Sequence, residues 1–136
     1  MAKNKKITLN DIIARKQQGK LDKLQVKKHY CSELSGDIEI RKIPLKEILE
    51  LLEKIQQDDI DTIETTRLNS ELVYKCCPII NQNSKELMNV YEVKDPFSLP
   101  LAILNDNLGE MNKILNSILA FYGLDEEEKI DDTIKN

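Results

Sequence analysis

The chain has no tryptophan and a single histidine, its aromatic share is only 4%, and it holds just four glycines and four prolines. Without a second histidine or a paired nucleophile, His29 cannot complete a catalytic triad or a zinc site, and a zinc site would need at least three protein ligands. Phosphate loops, dinucleotide-binding glycine fingerprints, zinc-protease helices and nucleophile elbows are all missing from the chain. No apolar run approaches the roughly 20 residues of a membrane-spanning helix. The opening MAKNKKITLNDII carries lysines but neither an apolar stretch nor a small-residue cleavage site, so a cytoplasmic protein is expected. Three cysteines, Cys31, Cys76 and Cys77, are an odd number in such a chain and are expected as free thiols. Adjacent cysteines on a helix point about 100° apart. Cys76 and Cys77 therefore read as buried small hydrophobes and not as ligands of one metal. The carboxylates at Asp58, Asp59 and Asp61 and from Glu126 to Glu128 sit in polar stretches, where a solvated surface is the expectation. No catalytic residue, cofactor or metal is expected, and a protein that acts by binding follows.

What is present is an ordinary soluble composition, 40% hydrophobic and 32% charged over 136 residues, enough for one domain with its own core. The charge is unevenly placed. Residues 1–28 hold nine Lys and Arg against Asp11 and Asp22, a net +7, which leaves −11 for the remainder and −4 for the chain.

Periodicity divides the chain into elements. Residues 8–18 read as a short helix capped by Thr8 or Asn10, with Leu9, Ile12 and Ile13 on one face and Gly19 past its end. Residues 24–43 read as a β-hairpin: Leu24, Val26 and Tyr30 alternate, Ser35-Gly36-Asp37 is turn chemistry, and Ile38-Glu39-Ile40-Arg41 alternates again. On that reading His29 lies on the outer face of the first strand. Pro44 opens an amphipathic helix carrying Leu45, Ile48, Leu49, Leu52 and Ile55. After a polar connection, residues 63–77 form a second long helix with Leu68, Leu72 and Cys76 on one row and Val73 and Cys77 on the next, ended or kinked by Pro78. Asn83 and Glu86 have capping-box spacing before a short helix through Leu87, Met88 and Tyr91.

The most regular stripe runs through Leu101, Leu104, Leu108, Met111, Leu115, Ile118 and Tyr122, widened by Ile114 and Leu119 and closed by Gly123. Gly109 interrupts the pattern and leaves two versions open, two helices meeting near residues 105–109 or one rod, both burying the same stripe. The expected organisation is a flexible basic N-terminus at 1–7, a single compact domain at 8–124, and an acidic flexible tail at 125–136. The fold class is mainly α with a small β-hairpin near the N-terminus, an α+β protein.

The segments ITLNDIIARKQQ, IEIRKIPLKEILELLEK, ELVYKCCPII and NLGEMNKILNSILAFYGL, taken in this order and with these apolar patterns, resemble the XkdN-like family of phage tail assembly chaperones. The likeness spans roughly residues 7–124 and carries no catalytic motif. It implies a morphogenesis factor of a bacteriophage or prophage element that works in the bacterial cytoplasm. Such a factor binds the tape measure protein, recruits tail tube protein, and is absent from the finished tail. From pattern alone, the partner contacts are expected on the hairpin, at Ile38, Ile40 and Arg41, and on the basic first helix, at Arg15 and Lys16. The competing reading is a small nucleic-acid-associated regulator of a mobile element that sets its basic N-terminal region on phosphates. The acidic body and the lack of interleaved aromatics argue against it.

Overall fold

A computed structural model describes residues 4–124. Among them are eight α-helices, a 3-10 turn at Pro96–Ser98 and one two-stranded antiparallel sheet, and 60% of the described residues are helical. The protein is α+β, as its patterning predicts.

The hairpin pairs β1, Val26–Cys31, with β2, Gly36–Arg41, in a register that sets His29 opposite Ile38 and Lys27 opposite Ile40. Facing residues of an antiparallel pair share a side of the sheet. Cys31, Ile38 and Ile40 are 1%, 6% and 0% exposed, so the inward row of β1 is Lys27, His29 and Cys31. This corrects two expectations. His29 faces inward, half-buried, while Tyr30 points to solvent. Ile38 and Ile40 belong to the core and are not an exposed contact surface. The physical reason is that alternation of isoleucine with charge marks a strand with one buried face, and the helices supply the cover. The turn also falls earlier than the glycine suggests. It occupies residues 32–35, with Ser35 in the left-handed region at φ 54° and Gly36 already in the strand.

Helix α1 is Leu9–Gln17 and α2 is the single turn Lys20–Lys23, with Gly19 between them at φ 71°, a conformation open to a residue lacking Cβ. Helix α3, Leu45–Ile55, begins one residue after Pro44, which serves as its N-cap. Its buried row is Ile48 and Leu51, flanked by Leu52 and Ile55. Leu45 and Leu49 are exposed, so the stripe is rotated from the expected one. Helix α4, Thr62–Cys76, starts at Asp61, whose carboxylate accepts from the Glu64 N–H, and packs against α3. Its two expected rows are the centre of the core, with Leu72, Val73, Cys76 and Cys77 at 0% exposure.

Pro78 stops α4 and heads α5, Pro78–Asn81, in the first-turn position where its missing N–H costs nothing. Helix α6, Ser84–Tyr91, follows Asn83, but no capping box forms. The Asn83 amide instead donates back to the Ile79 carbonyl, satisfying the end of α5.

The long stripe is broken into α7, Leu99–Ile103, and α8, Leu108–Phe121. Asn105 and Asp106 make the break, both at φ 58°, and Gly109 lies within the first turn of α8. Asn105 closes α7 by donating to the Ala102 carbonyl while Asp106 donates to Leu101, and Asn107 then caps α8 by accepting from the Glu110 N–H. The break changes the helical phase, which is why Leu108 is 46% exposed while Met111, Ile114 and Ile118 are buried. At the far end Gly123, φ 72°, donates to Ala120 and Leu124 donates to Leu119, a Schellman closure of the kind its glycine predicts.

Helix α8 is tied to the hairpin at both ends. One oxygen of Glu110, in the first turn, accepts from the Ser32 hydroxyl at 2.7 Å and the Glu33 N–H at 3.0 Å, and the other faces the Lys113 ammonium at 3.2 Å. At the C-terminal end the Tyr122 hydroxyl donates to the Ile43 carbonyl and accepts from its N–H, both at 2.6 Å.

Candidate partner-binding surface

Helix α1 differs from every long helix of the body in having no buried residue. Its start is well made. Thr8 accepts from the Asp11 N–H, the Asp11 carboxylate accepts from the Thr8 N–H, and Lys5 pairs with the same carboxylate at 2.9 Å. These contacts hold the Asp11 carboxyl below its ordinary pKa, the backbone hydrogen bond from Thr8 contributing most. The acid in the first turn and Arg15 and Lys16 in the last suit the helix dipole.

The apolar row of α1 points away from the protein. Leu9 is 72% exposed and Ile12 61%, and Ile13 and the preceding Ile7 are exposed as well. The opposite side, with Asp11, Ala14, Arg15 and Gln18, faces α2 across a shallow groove that Lys20, Lys23 and Leu24 complete. Among the described residues no carboxylate lies within ion-pair distance of Arg15, Lys16, Lys20 or Lys23. The arm therefore offers solvent a row of large apolar side chains beside cations, a combination that suits a partner with an apolar stripe and acidic flanks.

Of the residues singled out from pattern, Arg15 and Lys16 are exposed on this arm. Arg41 is exposed at the base of the hairpin, with Glu39 4.0 Å away. Ile38 and Ile40 are separated from all three by burial. The apolar positions Leu9, Ile12 and Ile13, read at first only as one face of a helix, are the ones left open.

A second apolar groove runs between α4 and α7, lined by Ile63, Val93, Phe97 and Leu101. It is knit by the protein's own contacts. Ser70 donates to the Phe97 carbonyl, and Arg67 pairs with Asp95 at 3.2 Å while lying 5.3 Å from the Phe97 ring centre. Its floor is part of the fold.

The remaining polar chemistry is structural. Glu110, missed in the sequence because its partners are remote, is held down to about 2 by the Ser32 hydroxyl, then the Glu33 N–H and Lys113. Burial pushes the Cys76 and Cys77 thiols up to about 12, so neither presents a thiolate near neutral pH. His29 is lowered by burial and then by Lys27. Among the described residues no cluster of three or more His, Cys, Asp or Glu is arranged to hold a metal, and no helix is long and apolar enough to cross a membrane.

No curated protein and no solved structure matches the chain. The family model described as phage XkdN-like tail assembly chaperone protein matches residues 14–135, which takes in the last turn of α1 but not Leu9, Ile12 or Ile13, the whole body, and the acidic segment as far as Lys135. The chain belongs to the XkdN-like family of phage tail assembly chaperones.

Proposed function

We propose that this chain binds the tape measure protein of a phage or prophage tail before the tube encloses it, and brings tail tube subunits to it. The task is binding and not catalysis, is done in the cytoplasm of the bacterial host, and leaves the chaperone out of the finished tail. The observation that carries this reading is the outward-facing apolar row of α1, Leu9, Ile12 and Ile13, flanked by Arg15 and Lys16. A long helical tape measure exposes apolar stripes until tube subunits surround it, and an amphipathic helix on a small folded body can cover such a stripe reversibly. Arg41, exposed at the end of β2, offers a further cation to the partner.

Co-expression with the tape measure and tube proteins, followed by affinity capture, tests the proposal. The expected result is a soluble tape measure that co-purifies with the chain and loses at least about tenfold in yield with Leu9→Asp/Ile12→Asp, the cost of about 1.4 kcal/mol in binding. A tape measure that stays insoluble, together with binding of the chain to DNA that falls steeply with salt, would move the arm onto phosphates.

A further inference from the structure

We propose that the acidic segment, residues 125–136, docks on the arm formed by α1 and α2 of its own chain and covers the apolar row until a client displaces it. The segment carries six carboxylates against Lys129 and Lys135, four of them consecutive from Asp125 to Glu128. It also carries Ile130 and Ile134 four positions apart, the spacing that places two side chains on one helical face. The arm is complementary on both counts, with Arg15, Lys16, Lys20 and Lys23 beside exposed Leu9, Ile12 and Ile13. Helix α3 also has exposed Leu45 and Leu49, but it carries Glu47, Glu50 and Glu53 beside them, so its charge does not suit an acidic segment.

The place where the segment begins supports the match. Leu124 follows Phe121 and Tyr122 after the single residue Gly123. The Lys27 and Lys42 ammonium groups lie 5.3 Å and 4.8 Å from the Phe121 ring centre. Gln25 lines the same pocket as Phe121 and Tyr122, and its side chain donates to the Leu21 carbonyl of α2. The acidic run therefore starts at a positive end of the molecule, one short link from α2. Twelve residues span about 40 Å when extended and about 20 Å as a coil, whereas α1 and α2 together run no more than about 22 Å. Every part of the arm is within reach, and a tether this short gives an effective concentration of about 1 mM, enough to populate a weak contact.

Docking stands on charge, apolar spacing and reach. Its regulatory meaning, a cover that keeps the arm from unwanted partners, rests on the client reading above. The test uses the full chain with a spin label at Asn136→Cys, the native thiols being buried, and reads paramagnetic broadening of backbone amides. The expected result is that amides of α1 and α2 lose more than about half their intensity, as a contact held at millimolar effective concentration requires. The broadening should fade between about 0.1 and 1 M salt, where the screening length drops from roughly 10 Å to 3 Å. It should also disappear when the six carboxylates are replaced by amides. Broadening spread evenly over the surface, or unchanged in the amide variant, overturns the docking. Broadening that passes from labelled to unlabelled molecules overturns it in favour of a second copy. Because no client is present, this outcome is independent of capture: a chain that captures its client but shows no broadening defeats the cover alone.

Discussion

Helix α8 and helix α1 carry the same kind of sequence signal and meet opposite fates. Each has apolar residues spaced three and four apart, an acid in its first turn and a capping side chain at its start. Yet α8 buries Met111, Ile114 and Ile118 and α1 buries nothing. Two things separate them. Helix α8 is bolted to the hairpin by Glu110 at one end and Tyr122 at the other, and α4 and β1 pack against it. Helix α1 has only the single turn of α2 to lean on, and at nine residues it is shorter than the roughly 12–15 a free helix needs in water. An amphipathic pattern thus shows that a helix wants cover without saying whether the cover belongs to the same molecule.

The comparison can be broken most violently from the covered side. Ile40→Asp puts a carboxylate where exposure is 0%, and with no cation opposite but half-buried Lys27 it should cost about 4–5 kcal/mol or more, unfolding the protein in far-UV circular dichroism. If the variant kept its fold and lost only client binding, Ile40 would be a contact residue after all. Ile118→Ala is gentler, leaving a cavity worth about 2–5 kcal/mol in urea denaturation.

The bolts come next. Glu110 is held at about 2, below its ordinary value of 4.5, so the ionised form is the one that the fold favours. Its contribution is fully present above pH 4.5 and is lost as pH falls through about 2. Melting temperature followed from pH 6 to pH 2 should therefore drop more in the native chain than in Glu110→Gln, which keeps an acceptor but does not titrate. Parallel curves would show that Glu110 takes no part in acid unfolding. At the other end, Tyr122→Phe leaves the Ile43 N–H and carbonyl without their partner and should cost about 1–2 kcal/mol, read from the urea midpoint at unchanged slope.

Legibility in the sequence followed the range of the interaction. The rows of α4, Leu68-Leu72-Cys76 and Val73-Cys77, were readable because helical spacing alone defines them, and Gly123 because a Schellman closure is local. Strand β1 was misread because VKKHYC is polar on both faces. Only its cross-strand register with Ile38 and Ile40 tells which side is inward, and that pairing places Lys27 and His29 there. Glu110 could not be seen, since its partners lie 77 and 78 residues away. The arm was half legible. Its helix and cations were evident, but an exposed apolar face differs from a buried one only through what the rest of the chain does or does not place against it.

The smallest expected effect on stability is the most telling. Leu9→Asp and Ile12→Asp alter side chains that are 72% and 61% exposed, so the urea midpoint should stay within about 0.5 kcal/mol of the native value. The same changes remove the apolar row through which α1 would meet a client and, by adding negative charge, repel the acidic segment as well. A variant that melts like the native protein yet no longer keeps the tape measure soluble would divide the molecule into a body that folds and an arm that binds. A variant that loses several kcal/mol would mean that α1 is packed in solution, and the apolar row would then join that of α8 as core.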